Sequence, residues 1–143
     1  MIYCGYQGCG KSTYCRAHPV TTVDLDSSMF TKKDGWESNY VEIAQIINET
    51  GKNVFISAHK EVINYLLATS TPFELFLPAQ NQKAWRSRLE FRYNLNPTQP
   101  NMNAILDFDK NWDSDMEFYA SIDCVKHYVS AHVVTNIGEF ITE

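Results

Sequence analysis

Eight residues near the start of the chain, Gly5 to Ser12 in the order GYQGCGKS, have the types and spacing needed to hold a nucleoside triphosphate. Gly5, Gly10, Lys11 and Ser12 satisfy G-x-x-x-x-G-K-[ST], and the pattern lies between an apolar stretch and a helix-forming one, as its mechanism requires. Glycine lets the backbone curl until successive N–H groups of the Gly8-Cys9-Gly10 turn point at phosphate oxygens, and the positive end of the following helix adds to the attraction. Lys11 would then reach the β and γ phosphates, and the Ser12 hydroxyl would ligate Mg²⁺.

Further along, Asp24 and Asp26 alternate at the end of a β-branched run. If the strand persists through both, they point the same way at its carboxyl end. Asp24 could then hold magnesium through water while the other carboxylate accepts a proton from an acceptor hydroxyl, or Asp26 or Ser27 could simply cap a helix. Ser57, His59 and Lys60 close the next apolar run, where metal or substrate contacts are possible, although that strand carries no Walker B aspartate. His59 could equally be a hydrogen-bonded interior residue and Lys60 the start of a helix.

Arg86, Arg88 and Arg92 cluster on a later helix, and the i,i+4 spacing sets Arg88 and Arg92 on one face. Two guanidinium groups there could clamp a transferring phosphoryl group as charge builds on its oxygens. Asp107, Asp109, Asp113 and Asp115 resemble an acidic metal cluster, but no helix brings all four together, so a solvated face is expected. Cys4, Cys9, Cys15 and Cys124 show no zinc spacing and are expected as reduced thiols. Cys9, at a helix N-terminus, is the candidate for oxidation.

The elements that must position these residues alternate between strand and helix signals. Apolar or β-branched runs at Met1–Tyr6, Val20–Leu25, Asn53–Ala58, Phe73–Leu77 and Lys126–Val134 predict strands. Helices are predicted over Lys11–Ala17, 37–50 with Tyr40, Ile43 and Ile47 on one face, a stretch after Lys60, 81–93, and Asn101–Tyr119. Residues 94–101 form the most loop-like connection, and a short amphipathic segment is expected at the C-terminus. The implied fold class is α/β, a roughly five-stranded, mostly parallel sheet with helices on both faces and a ligand at the carboxyl ends of the strands.

The 143 residues are expected to form one domain, 1–143. A net charge of −5 argues against a broad basic surface for wrapping nucleic acid, although a local basic cluster could hold an anion. No apolar run approaches the ~20 residues needed to cross a bilayer and no secretory pattern opens the chain, so a cytoplasmic location and no membrane partner are expected.

With GYQGCGKS, the Asp24-Leu25-Asp26 element and Arg88-x-x-x-Arg92 in place, the chain resembles the P-loop kinases of the nucleoside monophosphate kinase and shikimate kinase group over most of its first 93 residues. The runs DLDSSMF, NVFISAHKEV and NWDSDMEFY are similar to those of small phage and prophage nucleotide kinase-like proteins, which implies the cytoplasm of a bacterial host. The resemblance implies a P-loop NTPase fold and ATP with Mg²⁺ bound at the loop. It implies ATP contacts at Gly8, Cys9, Gly10, Lys11, Ser12 and Thr13, lid arginines at Arg88 and Arg92 on a short helix near 81–93, and metal or acceptor binding by Asp24 and Asp26.

The chain lacks the DG-x-PR element that adenylate kinases carry after the third strand, and Met29 to Ser38 leaves little room for a nucleotide-binding insertion. The expected activity is transfer of the ATP γ-phosphoryl group to a small acceptor, with a nucleoside monophosphate or deoxynucleotide favoured. A polynucleotide end or a modified base is the alternative acceptor. An ATP-binding regulatory protein without turnover is the alternative class.

Overall fold

The structure, a computed structural model, describes residues 1–79, 81–130 and 141. Five parallel strands form one sheet in the order β2-β3-β1-β4-β5. They are β1 (Ile2–Gly5), β2 (Thr22–Asp24), β3 (Asn53–Ser57), β4 (Phe73–Pro78) and β5 (Val125–Val129). Helices flank the sheet: α1 (Lys11–Ala17), α2 (Trp36–Glu49), α3 (Lys60–Ala68), α4 (Gln82–Leu95) and α5 (Gln99–Ser121). α2 packs on α3, and α4 on α5. No helix among the described residues is long and apolar enough to cross a membrane.

The central strands are covered on both faces and read as continuous apolar runs, as buried parallel strands do. All four residues of β1 are buried, as are Val54, Phe55 and Ile56 of β3 and Leu75, Phe76 and Leu77 of β4. Tyr40, Val41 and Ala44 of α2, Val62, Ile63 and Leu66 of α3, and Ile105 and Phe108 of α5 close the core against them. β1 is paired with β3 on one side and β4 on the other, Ile2 opposite Val54 and Phe73. The chain leaves β1 toward β2 but leaves β4 toward β5, so the connections diverge and open a crevice outside the carboxyl ends of the strands.

Several boundaries differ from expectation for local reasons. β2 starts at Thr22, and Val20 is exposed in the turn that follows Pro19. α2 presents Trp36, Tyr40, Val41 and Ala44 to the core, which leaves Ile43 largely exposed. The connection expected over 94–101 shrinks to Asn96–Thr98. There the Thr98 hydroxyl accepts from the Asn101 N–H, and Pro100 falls in the first turn, where its missing N–H costs nothing. The end of the strand expected over Lys126–Val134 and nearly all of the expected C-terminal segment lie outside the described residues.

Candidate functional site

A cavity of about 690 Å³ opens over the carboxyl ends of β1, β2 and β3. Its floor begins where β1 ends. The Tyr6 N–H donates to Phe76 O at 3.0 Å and carries the chain one residue past the strand, and the Cys9 N–H returns to Tyr6 O at 3.1 Å to close a tight turn. Gly8 (φ 84°) and Gly10 (φ 100°) both adopt the left-handed conformation that this curl needs. At Gly5 the obstacle is space, because an added Cβ would lie 2.5 Å from Cys9 Sγ and 2.7 Å from Lys11 Cδ. The backbone thus turns as a phosphate cradle requires, and α1 is only seven residues long, so loop N–H groups outweigh any contribution from the helix as a whole.

Among the sequence candidates, Lys11, Ser12, Asp24, Asp26 and Arg92 all line this cavity. The Ser12 hydroxyl donates to Asp24 Oδ2 at 2.6 Å, which joins the end of the loop to the end of β2. Asp26 lies beyond β2, so strand alternation does not place it. It caps a single 3₁₀ turn, Ser27–Met29, with one oxygen accepting the Ser28 N–H at 2.9 Å. Both the capping and the cavity-lining expectations for Asp26 therefore describe the same residue.

Buried Tyr40 fixes these strand ends. Its hydroxyl donates to Leu25 O at 2.6 Å, between the two aspartates, and accepts the Ser57 N–H at 2.9 Å. Tyr119 of α5 ties the next residue by donating to Ala58 O. Ser57, His59 and Lys60 also reach the cavity. Desolvation by the surrounding groups, opposed by Glu61 and Asp107 and aided by Lys32 and Lys11, holds the His59 imidazole below its ordinary pKa although the residue is solvent-exposed. Lys60 is paired with Asp115 at 3.2 Å.

The arginines of α4 divide. Arg88 turns away from the cavity: its Nε donates to Gly8 O at 2.6 Å, its Nη1 donates to Ser130 O at 3.0 Å, and its guanidinium lies 4.9 Å from the Trp85 ring centre. Trp85, fully buried, donates its indole N–H to Gln7 O at 3.0 Å. Two side chains of one helix thus hold two consecutive carbonyls of the glycine loop from behind. Leu89 lies so close that a Cβ on Gly8 would approach it to 2.9 Å. Arg92, one turn further on, faces the cavity, and its Nε is buried without a hydrogen-bond partner among the described residues. Burial lowers the pKa of both groups, but guanidinium pKa values start so high that both stay charged. Arg86 pairs with Asp109 and Glu90 at the surface.

Gly8, Cys9, Gly10, Thr13 and Arg88 are absent from the cavity wall, so of the expected ATP contacts Lys11 and Ser12 line it, and Cys9 corrects a further expectation. Its side chain is 1% exposed and burial pushes its thiol pKa up, so it packs under the loop and is no exposed target for oxidation. α5 qualifies another. Asp107, Asp109 and Asp113 are exposed, as a solvated face requires, but Asp107 and the half-buried Asp115 also line the cavity together with Asn103 and Asn111. The missed signal was a stripe in steps of four, Asp107, Asn111 and Asp115, which a search for carboxylates alone passes over.

An implied Mg²⁺ fits the donor set. No group of three or more His, Cys, Asp or Glu side chains among the described residues could hold a metal ion unaided. Mg²⁺, however, is bound by one or two protein oxygens plus substrate phosphates and water, and Ser12 with Asp24 offers such a pair. Ser57 Oγ, buried in the cavity wall without a partner among the described residues, is a further oxygen with unused capacity. Compared with known proteins, the chain matches no family model and no curated sequence.

Proposed function

We propose that the protein is an ATP-dependent phosphotransferase that passes the γ-phosphoryl group to a small acceptor held in the same cavity. The observation that carries the proposal is the 2.6 Å contact between Ser12 and Asp24, at the mouth of a glycine loop turned as a phosphate cradle. A glycine turn alone accounts for an anion. A serine hydroxyl locked to a strand-end carboxylate beside Lys11 accounts for a triphosphate with its metal.

In this reading the N–H groups of Gly8, Gly10, Lys11 and Ser12 bind the phosphates, the Cys9 N–H being spent on closing the turn, and Lys11 neutralises the β and γ oxygens. Ser12 and Asp24 hold Mg²⁺, which when bound supplies charge neutralisation across those oxygens. Arg92 meets the charge that builds on the transferring group, in a position where its own hydrogen-bonding capacity is unspent. Asp26 keeps one carboxylate oxygen free to orient an acceptor hydroxyl. Arg88 acts as a positioning residue, holding the Gly8 carbonyl from behind and so fixing the peptide whose Cys9 N–H closes the turn.

Incubation with γ-labelled ATP and Mg²⁺ over a panel of nucleosides, monophosphates, sugars and DNA ends tests the assignment. Labelled product is expected, and Lys11→Ala should lower kcat/KM by about a thousandfold. ATP binding without product on any acceptor would leave a nucleotide-binding protein and remove the kinase assignment. Lys11→Ala binding ATP as well as the parent, measured by the ligand-induced shift in Tm, would remove the phosphate-loop assignment itself.

A further inference from the structure

The wall that α5 contributes to the cavity has a chemistry of its own. Asn103, Asp107, Asn111 and Asp115 succeed one another along one helical face and present carboxylate and carboxamide groups. Across the whole cavity the lining carries five carboxylates and four cations, Lys11, Lys32, Lys60 and Arg92. The phosphotransferase reading assigns Lys11 and Arg92 to the triphosphate. Lys60 is tied to Asp115, and Lys32 donates to the Ser27 and Phe30 carbonyls while lying 4.9 Å from the Trp36 ring centre. Among the described residues Lys32 is then the lining cation with neither a triphosphate role nor a carboxylate partner, and it stands beside the Ser27–Met29 turn, so the α5 wall itself offers a second phosphate no unpaired cation.

An independent observation marks this wall as a ligand surface. Tyr6, at the end of β1, is 4% exposed, lines the same cavity, and has a hydroxyl with no partner at hydrogen-bonding geometry among the described residues, the Gln7 carboxamide being its nearby polar neighbour. Its ring packs edge-on against Trp112 and Tyr119 of α5, so its position is fixed relative to the stripe. A buried phenol with no partner is costly unless a ligand completes it.

Resting on the phosphotransferase reading, we propose that the acceptor is an uncharged molecule bearing several hydroxyl groups, of the class of nucleosides, sugars and polyols. The monophosphate favoured by the family resemblance would set a dianion against Asp107, whose partners are the neutral Asn111 and Gln7 carboxamides, and beside an Asp115 whose charge Lys60 already balances. Hydroxyl groups instead donate to those carboxylates and to the Asn103 and Asn111 carbonyl oxygens, and they accept from the Tyr6 hydroxyl. In the transfer itself the acceptor hydroxyl oxygen bonds to the γ phosphorus as the bond from that phosphorus to the β–γ bridging oxygen breaks. ADP leaves, and the hydroxyl proton passes to the free oxygen of Asp26.

Two measurements test the acceptor class separately from the kinase reading. With γ-labelled ATP, label is expected on a pool of nucleosides or on a pool of sugars and polyols, which tells these sources apart, and not on nucleoside monophosphates. Diadenosine pentaphosphate, which spans a triphosphate site and an adjacent monophosphate site, is expected to bind no more tightly than ATP. Label on a monophosphate, or binding of the dinucleotide about a hundredfold tighter than ATP, would overturn the uncharged acceptor while leaving the kinase intact. ATP binding with no label on any pool would overturn both. For the labelled acceptor, Asp107→Asn should raise KM about tenfold with KM for ATP unchanged; the residue is exposed on α5, so the core is untouched. An unchanged acceptor KM in Asp107→Asn and in Tyr6→Phe alike would remove the wall from acceptor recognition.

Discussion

The floor and the α5 wall of the cavity are held in place by different means. On the floor, backbone groups do the holding: left-handed glycines, a closed turn, and carbonyls of Gln7, Gly8, Leu25 and Ala58 each taken by a side chain from a neighbouring helix. On the wall, polar side chains project from a 23-residue helix that Ile105 and Phe108 anchor in the core and Tyr119 anchors at the cavity edge. A floor built this way admits one geometry, and in the proposed function it is the part that takes the triphosphate. A helical wall can change its side chains without moving its backbone, so under the proposed function it is the part of the site that can be retuned to a different acceptor.

The sharpest way to break that comparison runs through α4, because Arg88 serves the floor and Arg92 faces the cavity from the same helix. Arg92→Met should cut kcat by about a hundredfold or more, as loss of a charge-stabilising group does, while Tm is maintained because a buried, unpartnered Nε is removed. Arg88→Met should behave oppositely. Losing two charge-assisted bonds to carbonyls should destabilise the fold by about 1.5–3 kcal/mol and raise KM for ATP, with a smaller effect on kcat. Paired denaturation and steady-state kinetics check both, and a kcat defect confined to Arg88→Met would reverse the assignment.

Gly5→Ala probes the floor alone. The new Cβ meets Cys9 Sγ, which is buried and cannot swing away, and Lys11 Cδ, which can. Overpacking of this kind costs about 1–3 kcal/mol, and displacement of Lys11 should weaken ATP binding without altering acceptor KM. A titration of ATP against the variant, followed by Tm, measures both effects.

Legibility in the sequence follows the same division. The β1-loop-α1 unit lies where GYQGCGKS placed it, with α1 spanning Lys11–Ala17 as expected, because glycine conformations and strand-to-helix spacing are local properties. Asp24 and Asp26 were identified as cavity residues, although a cap and the Tyr40 staple, both products of tertiary packing, set the position of Asp26. Arg88 and Arg92 share a helical face in the sequence, yet a small difference in angle around α4 sends one under the loop and the other into the cavity. No pattern of residue types encodes that divergence. The α5 stripe was hidden for another reason, since its asparagines and aspartates have the composition of a solvated surface and become a wall only when β1 and β3 end beneath them.

The smallest effect expected is at His59, on the border between floor and wall, where its imidazole meets Ser27 Oγ at 3.4 Å and packs edge-on against Trp36. Desolvation lowers its pKa in the folded protein below the ordinary value near 6.5, so between those two values the unfolded chain binds more protons than the native one. Stability contributed by the neutral ring is therefore complete above about pH 6.5 and is lost as pH falls through that window. Because the residue is solvent-exposed, solvent screens the penalty and the slope should be shallow. His59→Gln should flatten the dependence of Tm on pH between about 5 and 7, whereas a parent whose Tm rises as pH falls through that range would mean that the ring gains a carboxylate partner on protonation. Glu61 and Asp107, the two carboxylates that favour the charged ring, are the groups to replace in that event.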